Sequence, residues 1–197
     1  MSRQSPKDLK DEYRLVLLTQ TGDKQAFDEL IQTVQTKLYR HIFNITQDRT
    51  ISDDLFQEAL IIIYKKIRWL SDPRFFRAWM YQIATRASFK ALKKKKRLKE
   101  MPLEETYELQ KDLSDTEYQL ILKETLESVS SAIRDLSPAS RSVLSLHYLE
   151  GMTLQEISDL IDIPIGTVKS RLSYGISKLK EGMNKRIEST LEIASSR

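Results

Sequence analysis

The stretch MTLQEISDLIDIPIGTVKSRL, Met152 to Leu172, constrains the fold of this chain more than any other. Thr153 and Glu156 stand at the spacing of a capping box, and Leu154, Ile157, Leu160 and Ile161 then share one helical face. Asp162, Ile163 and Pro164 break that helix. A second helix follows at once, with Ile165, Val168, Leu172, Ile176 and Leu179 expected to face inward. Two amphipathic helices joined by so tight a break cross at an angle, which is the helix-turn-helix arrangement. Asp162 occupies the turn, where left-handed backbone costs Asp little.

The outer face of the second helix points to a ligand. With Val168 and Leu172 inward, a rotation of about 100° per residue places Gly166, Ser170, Ser173, Tyr174 and Ser177 outward, flanked by Thr167, Lys169 and Arg171. Small hydroxyls allow close approach to base edges, and Lys169, Arg171, Lys178 and Lys180 supply charge for phosphate or guanine. A merely solvated helix face would more often mix both signs of charge. The pattern favours DNA.

Helical periodicity extends upstream. The segment DKQAFDELIQTVQTKLYRHIFNI is expected to bury Phe27, Leu30, Ile31, Val34, Leu38 and Ile42. Leu55, Phe56, Ala59, Leu60, Ile63, Ile67 and Leu70 mark a second helix, opened by Ser52, Asp53 and Asp54 as cap and dipole partners. After the loop signal SDPRF, a third carries Phe76, Trp79, Met80, Ile83, Ala84 and Ala87. Near the C-terminal end, Ser137 and Pro138 open a helix of about four turns and Gly151 supplies its left-handed stop. Five glycines and no long alternating run make the fold all-α.

Charge divides the chain. Lys93, Lys94, Lys95, Lys96, Arg97 and Lys99 form a cationic run, followed by an acidic stretch from Glu100 to Glu117 that Lys111 alone relieves. Such a reversal predicts two small helical domains, 1–97 and 118–197, joined by a flexible acidic linker over 98–117; the alternative is a solvated helix of one domain. The chain lacks cysteine, so disulfides, thiol catalysis and cysteine-ligated zinc are excluded. His41 and His147 lie far apart with no ligand pattern and are expected to be packing residues, so no metal or cofactor is expected. A polar start and the lack of a long apolar run predict a cytoplasmic protein without membrane insertion.

The segment LSPASRSVLSLHYLEGMTLQEISDLIDIPIGTVKSRLSYGISKLKE, Leu136 to Glu181, closely resembles the fourth conserved region of bacterial sigma factors. Upstream, DKQAFDELI, SDDLFQEALIIIYKKI and FRAWMYQIATRASFKALKKKKR resemble the second conserved region, in the same order. Between them there is no room for a third sigma domain. The resemblance is therefore to the small extracytoplasmic-function (ECF) type of the sigma-70 family.

That resemblance implies a transcription initiation factor that binds core RNA polymerase, catalyses nothing itself and takes no small-molecule substrate. It would read the −35 element with Thr167, Lys169, Ser170, Arg171, Ser173 and Tyr174. Asp54, Leu55, Gln57 and Glu58 fall where the family meets the clamp helices of the polymerase β′ subunit, and region 4 would meet the β flap. An anti-sigma factor is a further expected partner. For the melted −10 element the family analogy nominates Arg74, Phe75, Arg86 and Lys90, with Lys93 and Lys94 of the cationic run on phosphates. Arg86 stands where the family commonly has Asn, which removes an amide able to read a base. Trp79 follows the apolar periodicity and is expected in the core. The acidic linker would thread toward the polymerase cleft.

Two other functions compete. A dimeric helix-turn-helix regulator would act without being part of the polymerase holoenzyme, but leaves SDDLFQEALIIIYKKI unexplained. A recombinase or nuclease would need a catalytic cluster set apart from the helix faces, and the N-terminal half offers none.

Overall fold

The computed structural model describes residues 6–99 and 131–195. The proposed linker from residue 100 onward, and the domain boundary at 118, lie outside the described residues. An N-terminal unit comprises α1 (Pro6–Gln20), α2 (Lys24–Thr46), α3 (Arg49–Lys66) and α4 (Phe76–Lys99), with short 3₁₀ turns at Ile67–Trp69 and Pro73–Phe75. A C-terminal unit follows the helical residues 131–135 and comprises α5 (Pro138–Leu144), α6 (Leu154–Ile161) and α7 (Ile165–Ser195). The described residues are all-α, as the periodicity predicts.

The central helix α2 starts at Asp23, whose carboxylate accepts from the Ala26 amide, and ends at Gln47 in left-handed backbone. Leu30, Val34, Leu38, Ile42 and Ile45 along it are fully buried, while Phe27 and Ile31 pack at the margin of the core. Helix α3 begins earlier than Ser52 to Asp54 suggested. Asp48 is its cap, accepting from the Ile51 amide, because the chain reverses within Gln47 and Asp48. Ser52 is buried inside the first turn, bonded to Thr46 and to the Asp48 carbonyl. Asp53 accepts from the Tyr39 hydroxyl at 2.7 Å, which pins α3 to α2. From α4, Phe76, Met80 and Ala84 close the core; Trp79 lies at its edge.

In the C-terminal unit Ser137 caps α5 through the Ser140 amide, with Pro138 in the first turn. The four-turn helix expected there is interrupted: Ser145–Leu149 is a π-turn. The inserted residue rotates the remaining turn, burying Leu146 and leaving Tyr148 and Leu149 exposed. Gly151 has φ +73°, the left-handed stop. The capping box at Thr153 and Glu156 forms as the spacing predicts. Asp162 is left-handed at φ 56°, and the Ser158 hydroxyl donates to the Ile163 carbonyl at 2.6 Å, which locks the turn into α7. Val168 is buried and Leu172 partly so, but Ile165 stays exposed because it occupies the first position of α7, before the helix reaches the core. Gly175 passes so close to α5 that a methyl group there would meet Leu144 at 2.7 Å.

The two units pack together. α2 lies against α5, α4 lies against α6, and their apolar residues form one continuous core from Leu15 to Val168.

Candidate nucleic-acid interface and the contact between the units

The outer face of α7 presents Lys169, Ser170, Ser173 and Tyr174 to solvent, with Thr167 and Arg171 at its borders. Ser170 donates to the Thr167 carbonyl at 3.0 Å, one turn back, leaving its oxygen lone pairs outward. Tyr174 is 50% exposed. Lys178 is held by Glu181 at 2.8 Å, which raises its pKa and removes it from the free cations.

A second cationic surface runs along α4. Arg86, Lys90, Lys93, Lys94 and Arg97 are exposed and recur at helical spacing. Lys95 turns the other way and pairs with Asp48 at 2.7 Å. Partial burial pushes the Asp48 carboxyl up, but the Lys95 ammonium and the Ile51 and Thr50 amides outweigh it and hold the group below its ordinary value. At the start of α4, Phe75 projects with 61% exposure, as a stacking residue must. Arg74 beside it is exposed but not idle: it forks onto Asp72 with bonds of 2.6 to 3.0 Å, which hold the Asp72 carboxyl below its usual range. Trp69, unlike Trp79, is 66% exposed, and the Arg68 guanidinium lies 4.5 Å from its ring centroid.

On α3, Asp54, Gln57 and Glu58 form an exposed stripe that Ile61 extends by one turn. Leu55 does not belong to it. At 5% exposure it is a core residue against α2 and α4, so it positions the stripe rather than meeting a partner. Ile61, 54% exposed, takes its place on that face; its position four residues after Gln57 was the available signal.

The contact between the units was not expected from the residue pattern. Arg141 of α5 is buried, and its guanidinium donates to the Ile45 carbonyl at 3.2 and 2.7 Å, to the Arg134 carbonyl at 3.2 Å and to the Leu136 carbonyl at 2.5 Å. Two of these carbonyls end helices and lack an intrahelical donor, so one cation closes the C-terminal ends of α2 and of helical residues 131–135. Burial pushes the guanidinium pKa down. His41 is fully buried between Ser145 at 3.1 Å and Thr85 at 2.8 Å, edge-on to Tyr81. Burial lowers its pKa to about 3, so it is a neutral imidazole bridging α2, α4 and the C-terminal unit. Arg40 reaches Glu150 at 3.5 Å, and burial together with that carboxylate raises the neighbouring Tyr81 hydroxyl. Gln82 of α4 donates to the Leu160 carbonyl of α6 at 3.2 Å.

Among the described residues no group of His, Asp and Glu could hold a metal ion, and no helix is long and apolar enough to cross a membrane. Fold and surfaces together define an all-α protein with a helix-turn-helix and a second, cationic helix face.

Residues 30–98 match the Sigma-70 region 2 family model and residues 132–181 match Sigma-70 region 4. The chain is 27% identical over 176 residues to the ECF RNA polymerase sigma factor SigW of Bacillus subtilis, covering 81% of this chain and 90% of that protein. It is 27% identical over 193 residues to the RNA polymerase sigma-H factor of Pseudomonas aeruginosa, covering 94% and 98%. The fold is similar to that of the sigma factor RpoE of Bartonella quintana, solved in complex with the anti-sigma factor NepR, with TM-score 0.61, 18% identity and coverage of 80% and 96%. The chain belongs to the sigma-70 family, and within it to the ECF type of RNA polymerase sigma factor.

Proposed function

We propose that this sigma factor recruits core RNA polymerase through the exposed α3 stripe, reads the −35 element with α7 and holds the melted −10 element along α4. The observation that carries the reading is the placement of two separate surfaces suited to DNA, one with small hydroxyls and an aromatic, one with cations in register, on a chain matching both family regions. Asp54, Gln57, Glu58 and Ile61 offer acids and an apolar side chain to the β′ clamp helices, and region 4 offers the β flap a partner. Cations at Arg86, Lys90, Lys93 and Lys94 attract the separated strand without reading its sequence, and Phe75 stacks on an unpaired base. Arg74 reaches phosphate after exchanging Asp72 for it. The protein works in the cytoplasm, and an anti-sigma factor restrains it, as one is bound to the RpoE relative in its solved structure.

Transcription with purified core polymerase on a randomised promoter library tests the reading. Starts that depend on this protein and share two spaced upstream motifs are expected. Binding to duplex DNA as a dimer, with no association with core polymerase, would instead make the chain a free-standing regulator. Replacing Lys169 or Ser170 with Ala should cost roughly 1–3 kcal/mol and relax preference at one −35 position; a uniform loss at all promoters would assign the side chain to phosphate. Glu58→Ala should weaken core polymerase binding in a pull-down titration while leaving the melting temperature within about 2 °C, since an exposed charge contributes little to folding.

A further inference from the structure

The exposed face of α3 carries its charge in two blocks. Asp54 and Glu58 are exposed toward its N-terminal end, Lys65 and Arg68 toward its C-terminal end, and Ile61 lies midway between them. At about 100° per residue all four charges fall within about 60° of Ile61, so the blocks share one stripe. Within each block the neighbours repel: Asp54 and Glu58 are four residues apart, and Lys65 and Arg68 three. The spacing that would pair opposite charges along the helix is unused. The helix dipole accounts for little of this, because its effect fades within the first turn and Glu58 lies beyond the second.

Among the described residues none of the four is in an ion pair. Arg68 is instead steadied at the Trp69 ring, 4.5 Å from its centroid. Tyr64, on the same stripe, is fixed edge-on against Phe27 with 4.9 Å between ring centroids. The face is therefore ordered, charged at both ends, apolar at its centre through the 54% exposed Ile61, and uncovered.

Such a stripe is complementary to itself. A two-fold axis through Ile61 sets a second α3 antiparallel to the first, with each residue opposite the one equally far from Ile61 on the other side. Ile61 then meets Ile61 of the second copy. Glu58 lies beside Lys65 of the second copy and Asp54 beside Arg68 of the second copy, and symmetry makes each ion pair twice. A parallel arrangement would bring acid to acid and base to base.

We infer that the exposed face of α3 is a docking surface for a second copy of this chain, paired antiparallel about Ile61, and that the resulting dimer excludes core polymerase. The exclusion rests on the role proposed above for α3; the pairing does not. One helix face against its copy buries less than about 1,200 Å², the size of weak, transient contacts, so the dimer is reversible and core polymerase draws it apart.

Sedimentation velocity of the full-length chain over about 1–200 μM tests the pairing. Wild type should show a monomer–dimer equilibrium that weakens as salt is added. Glu58→Lys and Lys65→Glu should each raise the dissociation constant about 10- to 100-fold, since each sets like charges together at two places in the dimer. Mixed in equal amounts, the two variants should associate about as tightly as wild type, because each supplies the charge the other has lost; that rescue also shows that both fold. The pairing is overturned if wild type stays monomeric throughout, if either variant dimerises like wild type, or if the mixture stays monomeric. Core polymerase added to the wild-type dimer should give a complex with one copy of the chain. A dimer retained on the polymerase overturns the exclusion, whereas a dimer beside polymerase that binds none of it defeats the role proposed for α3 and leaves the pairing standing.

Discussion

Arg141→Ala is expected to lower the free energy of unfolding by about 2–5 kcal/mol, because it leaves buried carbonyls at the ends of two helices without donors. Arg141 is 8% exposed and serves Ile45, Arg134 and Leu136 at once, so no neighbouring side chain takes over all of its bonds. For a chain of this length the melting temperature should fall by roughly 5–15 °C. Lysine should restore only a part. Its single ammonium keeps the charge, but lacks the planar fork that spans carbonyls on separate elements. Urea unfolding of the three proteins measures the effect; a loss below about 1 kcal/mol for the alanine variant would mean that water reaches those carbonyls and the contact between the units is loose.

The second large effect is one of pH. His41 is neutral in the packed protein because burial lowers its pKa to about 3, against 6.5 for an unperturbed histidine. Above pH 6.5 the imidazole is neutral in both folded and unfolded states, and stability does not depend on it. Below 6.5 the unfolded chain takes up a proton that the folded one refuses, so stability falls as pH falls, by roughly 1.4 kcal/mol per unit. The loss continues down to about pH 3. Between pH 6.5 and 4.5 it should reach about 2–3 kcal/mol. Asp48 and Asp72, whose pKa values are lowered from 3.8, lose their contributions only at still lower pH, so this window isolates the histidine. His41→Gln should flatten the unfolding free energy across it. An unchanged slope in that variant would show that another group titrates.

Much of the fold was legible because its signals are local. The capping box at Thr153 and Glu156, the glycine stop at Gly151 and the left-handed Asp162 each depend on neighbours a few residues away, and each formed as the spacing predicts. The inward residues of α2 and α4 followed from period alone. Errors arose where a local rule had two solutions. Ser52 and Asp53 are good caps in isolation, but the turn at Gln47 and Asp48 starts α3 sooner and puts Ser52 inside. The π-turn after Leu144 leaves no residue-type signature, since it changes which carbonyl each amide meets and not which residues are present.

The candidate surfaces divide along the same line. The outer face of α7 follows from the angle per residue once Val168 is inward, whereas Leu55 was drawn to the partner surface by its neighbours Asp54 and Gln57 although it continues the inward series with Ala59 and Ile63. His41 belongs to the inward series of Leu38, Ile42 and Ile45, a pattern that predicts burial but not its partners.

The sequence by itself determined the helices, the helix-turn-helix and the two family regions, because periodicity, caps and motifs are properties of residues close together in the chain. Only the tertiary structure decided that the units pack, that Lys95 pairs with Asp48, and that Gln82 meets the Leu160 carbonyl. The reason is physical: Gln82 and Arg141, which join the units, bond backbone carbonyls 78 and 96 residues away. Every residue carries such a carbonyl, so which one meets Arg141 or Gln82 leaves no mark in residue type and is settled by the packing of whole helices.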